Sequence, residues 1–434
     1  MKLGVISLGC DKATVDSERL VGELVGHGAV VTPELPSADV ILVNTCGFID
    51  AAKQESINAI LGAAKLKEEG VKAVVAVGCL VQRYKQELAQ EIPEVDLMLG
   101  FSELHHLVPE LAKRGLIEDP VASHPGVRQF LGEQTHVRYL KISEGCDHTC
   151  AFCAIPLMRG KHRSEPLARL VREAQQLEAQ GAREINLVAQ DLGHWGRDLG
   201  LGGPKLPELL EALLRETGVP WFRLLYVYSA GISERLVDLM ARSPRIVPYI
   251  DMPIQHASDR MLERMRRPER GRTLREKLTW LRGAIPDLAI RTTCLVGFPG
   301  ETEEDFRALL AFLEEAQFDR MGAFAYSPQE GTRAFQLEDD VDDDVKQERL
   351  AEIIEVQRAI SAERLERFVG REVQVLVDSQ ESETGVKAGR VQWQADDVDG
   401  ITYLERGGWA QPGDFVRARI TASEDYDFQA AALT

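Results

Sequence analysis

The sequence predicts an α/β protein of three parts: an N-terminal parallel α/β domain, a partial (β/α) TIM-like barrel and a C-terminal small β-barrel. Three observations predict it. Over residues 1–115, short apolar runs alternate with amphipathic helical patterns. From His136 the same alternation returns on a larger scale, with six strand candidates. From Arg371 the pattern gives way to short β runs broken by glycine turns. The implied boundaries are 1–115 for the first domain, a linker at 116–135, 136–365 for the barrel and 366–434 for the β-barrel.

Taken in order, "KLGVISLG" reads as a strand and "TVDSERLVGELVGHG" as a helix ended by Gly28. In that reading Asp16 and Ser17 are helix-start residues. "ADVILVNT" and "VKAVVAVG" are further apolar runs, followed by the helices "AAKQESINAILGAAKLKEEG" and "QRYKQELAQEI". Fully apolar strands joined by helices imply a parallel sheet covered on both faces. Residues 116–135 break the pattern with Pro, Gly and polar residues, the composition of a linker. The barrel strands are "HVRYLKIS", "REINLVAQ", "WFRLLYVYS", "VPYIDMPI", "AIRTTCLVGF" and "RMGAFAYS", with helices such as "PLARLVREAQQLEAQG" between them. Sites on such folds lie at the C-terminal ends of the strands. Six acids between Glu338 and Asp344 form a solvated loop leading into a helix over 345–368, whose start favours negative charge.

The totals narrow the partners. A formal net charge of −18 repels phosphate backbones on average and suits a basic protein better. Residues 371–434 hold twelve acids against six bases. No window approaches a membrane span, and "MKLGVISLGCDK" lacks the apolar core of a signal peptide, so a cytoplasmic location is expected. Seven cysteines are too few for a disulfide framework, which leaves metal ligation or catalysis.

Six of the seven fall into two groups of three. Cys146, Cys150 and Cys153, in "SEGCDHTCAFCAIP", follow the first barrel strand with the spacing C-x3-C-x2-C. Three thiolates can bind three irons of a 4Fe-4S cluster and leave the fourth iron open. A zinc site completed by His148 or a distant residue is the alternative. Cys10, Cys46 and Cys79 sit in "SLGCDK", "VNTCGF" and "AVGCLV", 36 and 33 residues apart. Each closes a strand and precedes a helix, and strand ends of one parallel sheet lie side by side. Any one of them alone would read as a small buried apolar residue. Three at the same phase point to a second cluster, again with an open iron. Cys294, the seventh, reads as core.

With Phe152 before its last cysteine, the C-x3-C-x2-C loop resembles the signature of radical S-adenosylmethionine (SAM) enzymes. The resemblance implies that SAM chelates the open iron and is cleaved by one electron to methionine and a 5′-deoxyadenosyl radical, which abstracts a hydrogen atom. Adding the second trio and the small β-domain, the chain resembles the methylthiotransferases over essentially its whole length: N-terminal methylthiotransferase domain, radical SAM core, TRAM domain. That implies an enzyme with two 4Fe-4S clusters held by the six cysteines. One SAM would supply the radical and another the methyl group, and the second cluster would supply or carry the sulfur, turning C–H into C–S–CH3.

Local motifs refine the resemblance. "SLGCDKATVDSE", "NTCGFIDAAKQES", "ISEGCDHTCAFCAIPLMRGKHRS" and "MPIQHASDRMLERMRR" look like the branch that modifies the β-carbon of an aspartate in small-subunit ribosomal protein S-twelve, free or within the ribosomal subunit. The acidic β-domain agrees with such a basic partner. The alternative is the branch acting on adenosine in tRNA. Asp11, Ala13-Thr14 and Glu165 depart from the ribosomal-protein branch. The resemblance also implies an electron donor and a sulfur donor as partners. It suggests SAM contacts from Gln190, which sits with Asp191 in "VAQD", from Gly297 and Gly300 in "VGFPGE", and from Arg223, Ser229 and Gln255 near other strand ends. In "RGKHRS", Arg159, Lys161, His162 and Arg163 either neutralise cluster charge or hold a substrate carboxylate, or else form surface salt bridges. "RMLERMRR" reads as a basic, mainly solvated helix face.

Overall fold

The computed structural model describes residues 1–117, 127–132, 134–380 and 386–433. Two compact units form: residues 1–133 with 145–147 and 154–161, and residues 134–144 with 148–153 and 162–434.

The first unit contains β1 (Lys2–Ser7), α1 (Asp11–Gly26), β2 (Val30–Val31), β3 (Val40–Thr45), α2 (Asp50–Lys65), β4 (Ala73–Gly78), α3 (Cys79–Glu91), β5 (Leu97–Leu99), α4 (Leu107–Lys113) and, further along the chain, α5 (Ile155–Arg159). Its strands form one parallel sheet in the order β2-β1-β3-β4-β5. β3 and β4 are buried at every position, which is why β4 is apolar throughout and β3 is apolar up to Asn44 and Thr45 at its C-terminal end. On one face Leu42 and Val75 pack with Leu20, Val21 and Leu24 of α1; on the other Ile41, Val43 and Val74 pack with Ile60 and Ala63 of α2. β2 and β5, of two and three residues, escaped the sequence reading because they are too short to show a period.

One expectation is corrected. α1 starts at Asp11, not Thr14, so Asp16 is no helix-start residue; it is buried in the second turn. Residues 118–126 and 133 of the expected linker lie outside the described residues. The described stretch 127–132 is packed rather than free: buried Arg128 Nε donates to Glu18 on α1 at 2.6 Å, and the Val127 carbonyl sits against Gly22.

The second unit starts with β6 (Val137–Lys141) and the short antiparallel pair β7 (Ser143–Glu144) and β8 (Arg163–Ser164). It continues through α6 (Leu167–Ala179), β9 (Glu184–Val188), α7 (Leu206–Glu216), β10 (Trp221–Leu224), α8 (Glu234–Arg242), β11 (Ile246–Asp251), α9 (Asp259–Arg264), α10 (Gly271–Ala284), β12 (Ala289–Val296), α11 (Glu303–Ala316), β13 (Arg320–Ala325) and α12 (Asp343–Glu366). The six long strands pair in parallel in the order β6-β9-β10-β11-β12-β13, a partial barrel. Then β14 (Glu372–Gln380), β15 (Lys387–Arg390), β16 (Thr402–Glu405), β17 (Phe415–Ser423) and β18 (Phe428–Ala432) close a small barrel in the order β14-β15-β16-β18-β17.

The small barrel shares a core with the N-terminal ends of the parallel strands. Val137, Trp221, Val247 and Ala289 pack in one cluster with Leu376, Trp393, Ile420 and Phe428. A buried ion network reinforces it. Glu184 pairs with Arg223 and Arg390, each at 2.7 Å; Arg390 also pairs with Asp378 at 2.8 Å; and Arg223 Nη1 donates to the Gln392 carbonyl at 2.8 Å. Burial opposes the charged form of Glu184, yet the two guanidiniums hold its carboxyl below its usual range. Arg223 is thus corrected as a SAM contact. It is fully buried, and its charge is taken up at the first residue of β9 rather than at a strand C-terminus.

Candidate functional site

The register of the N-terminal sheet places the first cysteine trio. Ser7 on β1 is level with Asn44 on β3, and Asn44 is level with Val77 on β4. Cys10, Cys46 and Cys79 follow these residues at the same C-terminal edge. The loops touch. A Cβ on Gly9 would lie 3.5 Å from Cys46 Sγ, and one on Gly47 would lie 2.8 Å from the Leu80 Cα. Hydrogen bonds fix each loop. Asn44 Nδ2 donates to the Ala13 carbonyl (2.9 Å) and the Ser17 hydroxyl (2.8 Å), tying β3 to α1. Ser56 on α2 accepts from the Cys46 amide and donates to its carbonyl, both at 2.9 Å.

The three thiols grade from exposed Cys10 through Cys46 to buried Cys79. Burial pushes the Cys79 thiol up to about 11; the Arg159 guanidinium pulls it down, and Cys46 and Cys10 push it up further. Burial likewise raises Cys46, with the charge of Cys10 adding to it. Arg159, at the end of α5, is buried among these groups. It donates to Asp16 at 2.9 Å and lies 4.6 Å over the Phe101 ring. Among the three readings of "RGKHRS", the position of Arg159 bears on the first: it is a buried cation beside Cys79 and Cys46. His162 pairs instead with Ser164 at 3.1 Å and Asp198 at 3.6 Å. Three thiols of graded burial, with one fixed cation beside two of them, fit a cluster held by three cysteines.

The second trio lies on the loop between β7 and β8. Cys146 belongs to the first unit, where its amide donates to the Gly160 carbonyl at 3.1 Å. Cys150 and Cys153 belong to the second, where the Cys153 amide donates to the Cys150 carbonyl at 3.3 Å. Cys150 Sγ lies 3.0 Å from the Tyr228 hydroxyl and 3.9 Å from Arg267 Nη1. Phe152 packs with Met261, Met265 and Phe298.

β9 and the residues just after β6 and β9 carry polar groups in want of partners. The Ser143 hydroxyl, both amide atoms of Asn186 and the Gln190 Oε1 are buried without a hydrogen bond among the described residues. Gln190 Nε2 donates to Glu144 at 2.9 Å. Such a set suits the amino, carboxylate and hydroxyl groups of SAM. Of the other expected contacts, Ser229 donates to Glu269 at 2.7 Å. Gln255, at φ 70°, bridges to β12 through its backbone, its amide donating to Thr293 and its carbonyl accepting from Leu295. Gly297 and Gly300, at φ 70° and 82°, sit against Lys346 and Arg264, where a Cβ would come within 2.3 and 2.7 Å. Cys294 is fully buried.

Tyr228, Arg267 and His194 are not singled out in the sequence, and His148 and Asp191, which are, meet His194 only in the fold. Tyr228 gave no signal, since "LLYVYS" reads as core. Arg267 belonged to a basic run whose inward position was not legible. His148, Asp191 and His194 could meet one ion. However, Arg197 Nη1 lies 2.6 Å from His194 Nε2, and His148 is bonded to Asp191 at 2.7 Å, so the group is already satisfied as a hydrogen-bonded cluster. Burial pushes His194 down to about 4.

Comparison with known proteins follows the same division. An uncharacterized protein family, UPF0004, matches residues 2–100, the radical SAM superfamily 140–313 and the TRAM domain 369–433. The chain is 44% identical over 428 residues to the ribosomal protein uS12 methylthiotransferase RimO of Aquifex aeolicus, covering 98% of this chain and 96% of that one. It is 46% identical over 443 residues to the protein of the same name from Desulforudis audaxviator, covering 100% and 97%. Among solved structures, the radical SAM methyltransferase TsrM of Kitasatospora setae matches with a TM-score of 0.55 at 15% identity, over 74% of this chain and 72% of that one. At that identity the likeness speaks for the fold alone.

Proposed function

The chain belongs to the RimO family of radical SAM methylthiotransferases, and on that premise we propose a role for each cysteine trio and a substrate. Cys146, Cys150 and Cys153 hold the 4Fe-4S cluster that binds SAM. Cys10, Cys46 and Cys79 hold the second. The substrate is an aspartate of ribosomal protein uS12, the small-subunit protein expected from the sequence. The observation that carries this reading is the register of Ser7, Asn44 and Val77, which sets one thiol after each of three neighbouring strands.

Bound at these sites, the clusters and SAM supply hydrogen abstraction, sulfur and a methyl group. The side chains prepare them. Arg159 offsets part of the negative charge that three thiolates bring together. Cys79, protonated at neutral pH in the metal-free chain, gives up its proton on ligation. Ser143, Asn186 and Gln190 orient SAM through the atoms that otherwise lack partners. The net charge of −18 suits a Lys/Arg-rich ribosomal protein. An electron donor and a source of replacement sulfur complete the cycle. A ribosomal substrate places the enzyme in the cytoplasm; no helix among the described residues is long and apolar enough to cross a membrane.

The test is mass spectrometry of ribosomal proteins and tRNA nucleosides from a strain deleted for this chain. The methylthio group should vanish from the uS12 aspartate, with tRNA unchanged. Loss of methylthio-adenosine beside an unchanged uS12 would refute the assignment.

A further inference from the structure

A set of side chains in the second unit converges on one ligand sulfur. The Tyr228 hydroxyl lies 3.0 Å from Cys150 Sγ. Its ring is clamped: His148 stacks on it with centroids 3.8 Å apart and planes 13° from parallel, and the Arg267 guanidinium lies 3.7 Å over it. Two groups so near one centroid occupy opposite faces. Asp191 braces the stack, accepting from the Tyr228 amide at 3.2 Å and from His148 Nε2 at 2.7 Å. Arg267 is braced in turn by the Pro253 carbonyl at 2.6 Å and by Glu269 at 3.1 Å, which Ser229 holds at 2.7 Å. That leaves Arg267 Nη1 facing Cys150 Sγ at 3.9 Å. Tyr228 and Arg267 are both buried.

We propose that Tyr228, with Arg267 behind it, is a positioning residue of the SAM-binding cluster: its phenol donates a hydrogen bond to the Cys150 thiolate, and together with the guanidinium it raises that cluster's reduction potential. The direction of the bond follows from the chemistry. A thiolate bound to iron has no proton to give, so the phenol is the donor. Reduction adds negative charge, and a hydrogen bond and a cation at a ligand sulfur stabilise the more negative state more strongly. The His148 stack and the Asp191 brace keep the phenol aimed at the sulfur. This inference rests on the assignment of Cys150 as a cluster ligand.

The experiment uses the full-length chain with Cys10→Ala, Cys46→Ala and Cys79→Ala, so that one cluster is read. It is reconstituted anaerobically and titrated under electron paramagnetic resonance. Tyr228→Phe keeps the stacked ring and removes only the hydroxyl. It is expected to lower the reduced-to-oxidised ratio about tenfold at any set potential, about 59 mV for a one-electron couple. Iron should stay near about four per chain. Arg267→Lys keeps the charge but loses the planar stack, and should shift the same way by less. An unshifted potential in Tyr228→Phe at full iron loading overturns the proposal. Should that variant fail to hold iron, Arg267→Lys decides, and an unshifted potential there overturns it. If the parent triple variant loads no cluster, the ligand assignment has failed and the proposal falls with it, a failure seen before Tyr228 is touched.

Discussion

Replacing Arg159 with Met removes a cation but keeps a side chain that can fill its space. The partner left behind is Asp16, with the pair 2.9 Å apart and only 5% and 10% of the two side chains exposed. A buried pair broken from one side costs about 3–5 kcal/mol, because the remaining charge loses its partner. At about 2–4 °C per kcal/mol for a unit of this size, melting of the metal-free chain should fall by roughly 6–20 °C. Scanning calorimetry of the parent, Arg159→Met, Asp16→Asn and the double variant gives the coupling. The double variant should recover much of the loss, since it also removes the carboxylate whose nearby guanidinium is gone. The cation also pulls the Cys79 thiol down, so Arg159→Met should load less iron at a given pH. A single variant that melts within about 2 °C of the parent, with unchanged iron, would refute the view that Arg159 is the buried counter-charge of the thiols.

Two further outcomes follow from buried charge elsewhere. Arg390→Met removes the cation that Glu184 and Asp378 share, leaving Glu184 to Arg223 and Asp378 to His136, and should cost about 3 kcal/mol in urea unfolding, the low end for a broken buried pair; a change within about 1 kcal/mol would show that the network is dispensable. Burial raises the Glu301 carboxyl from 4.5 to about 7, against Arg349 and the amides of Gly297 and Phe298. The folded chain then holds more protons than the unfolded one between pH 4.5 and 7, so this group lowers stability as pH rises through that window. Glu301→Gln should flatten the stability–pH curve there by up to about 3 kcal/mol, and an unchanged slope would contradict the assignment.

Much of this architecture was legible because buried parallel strands write themselves as unbroken apolar runs. β4 carries that mark throughout, and the barrel strands and the other long strands of the N-terminal sheet carry it in part, as mainly apolar runs broken by one or a few polar residues. The cysteine spacing was legible for a related reason, since each βα unit adds about one third of a hundred residues and returns the chain to the same edge. Side-chain direction was not legible. Arg223 sits near a strand end in sequence, yet its guanidinium turns to Glu184 and the small barrel. Asp16 carries the sequence mark of a helix cap, but α1 begins a turn earlier and makes it a buried partner of Arg159. Tyr228 and Arg267 meet Cys150 only through the fold, and no local pattern announces a contact between residues that far apart in the chain.

The central claim is a division of labour between two cysteine trios. The direct measurement is tandem mass spectrometry of purified uS12 after anaerobic reaction with the reconstituted chain, SAM and a reductant, alongside its Cys79→Ala variant, with SAM cleavage assayed in parallel. The account predicts one methylthiolated aspartate with the unaltered chain, and SAM cleavage without methylthiolation from Cys79→Ala. A Cys79→Ala variant that still methylthiolates uS12, or an unaltered chain that cleaves SAM yet leaves uS12 unmodified, would contradict it.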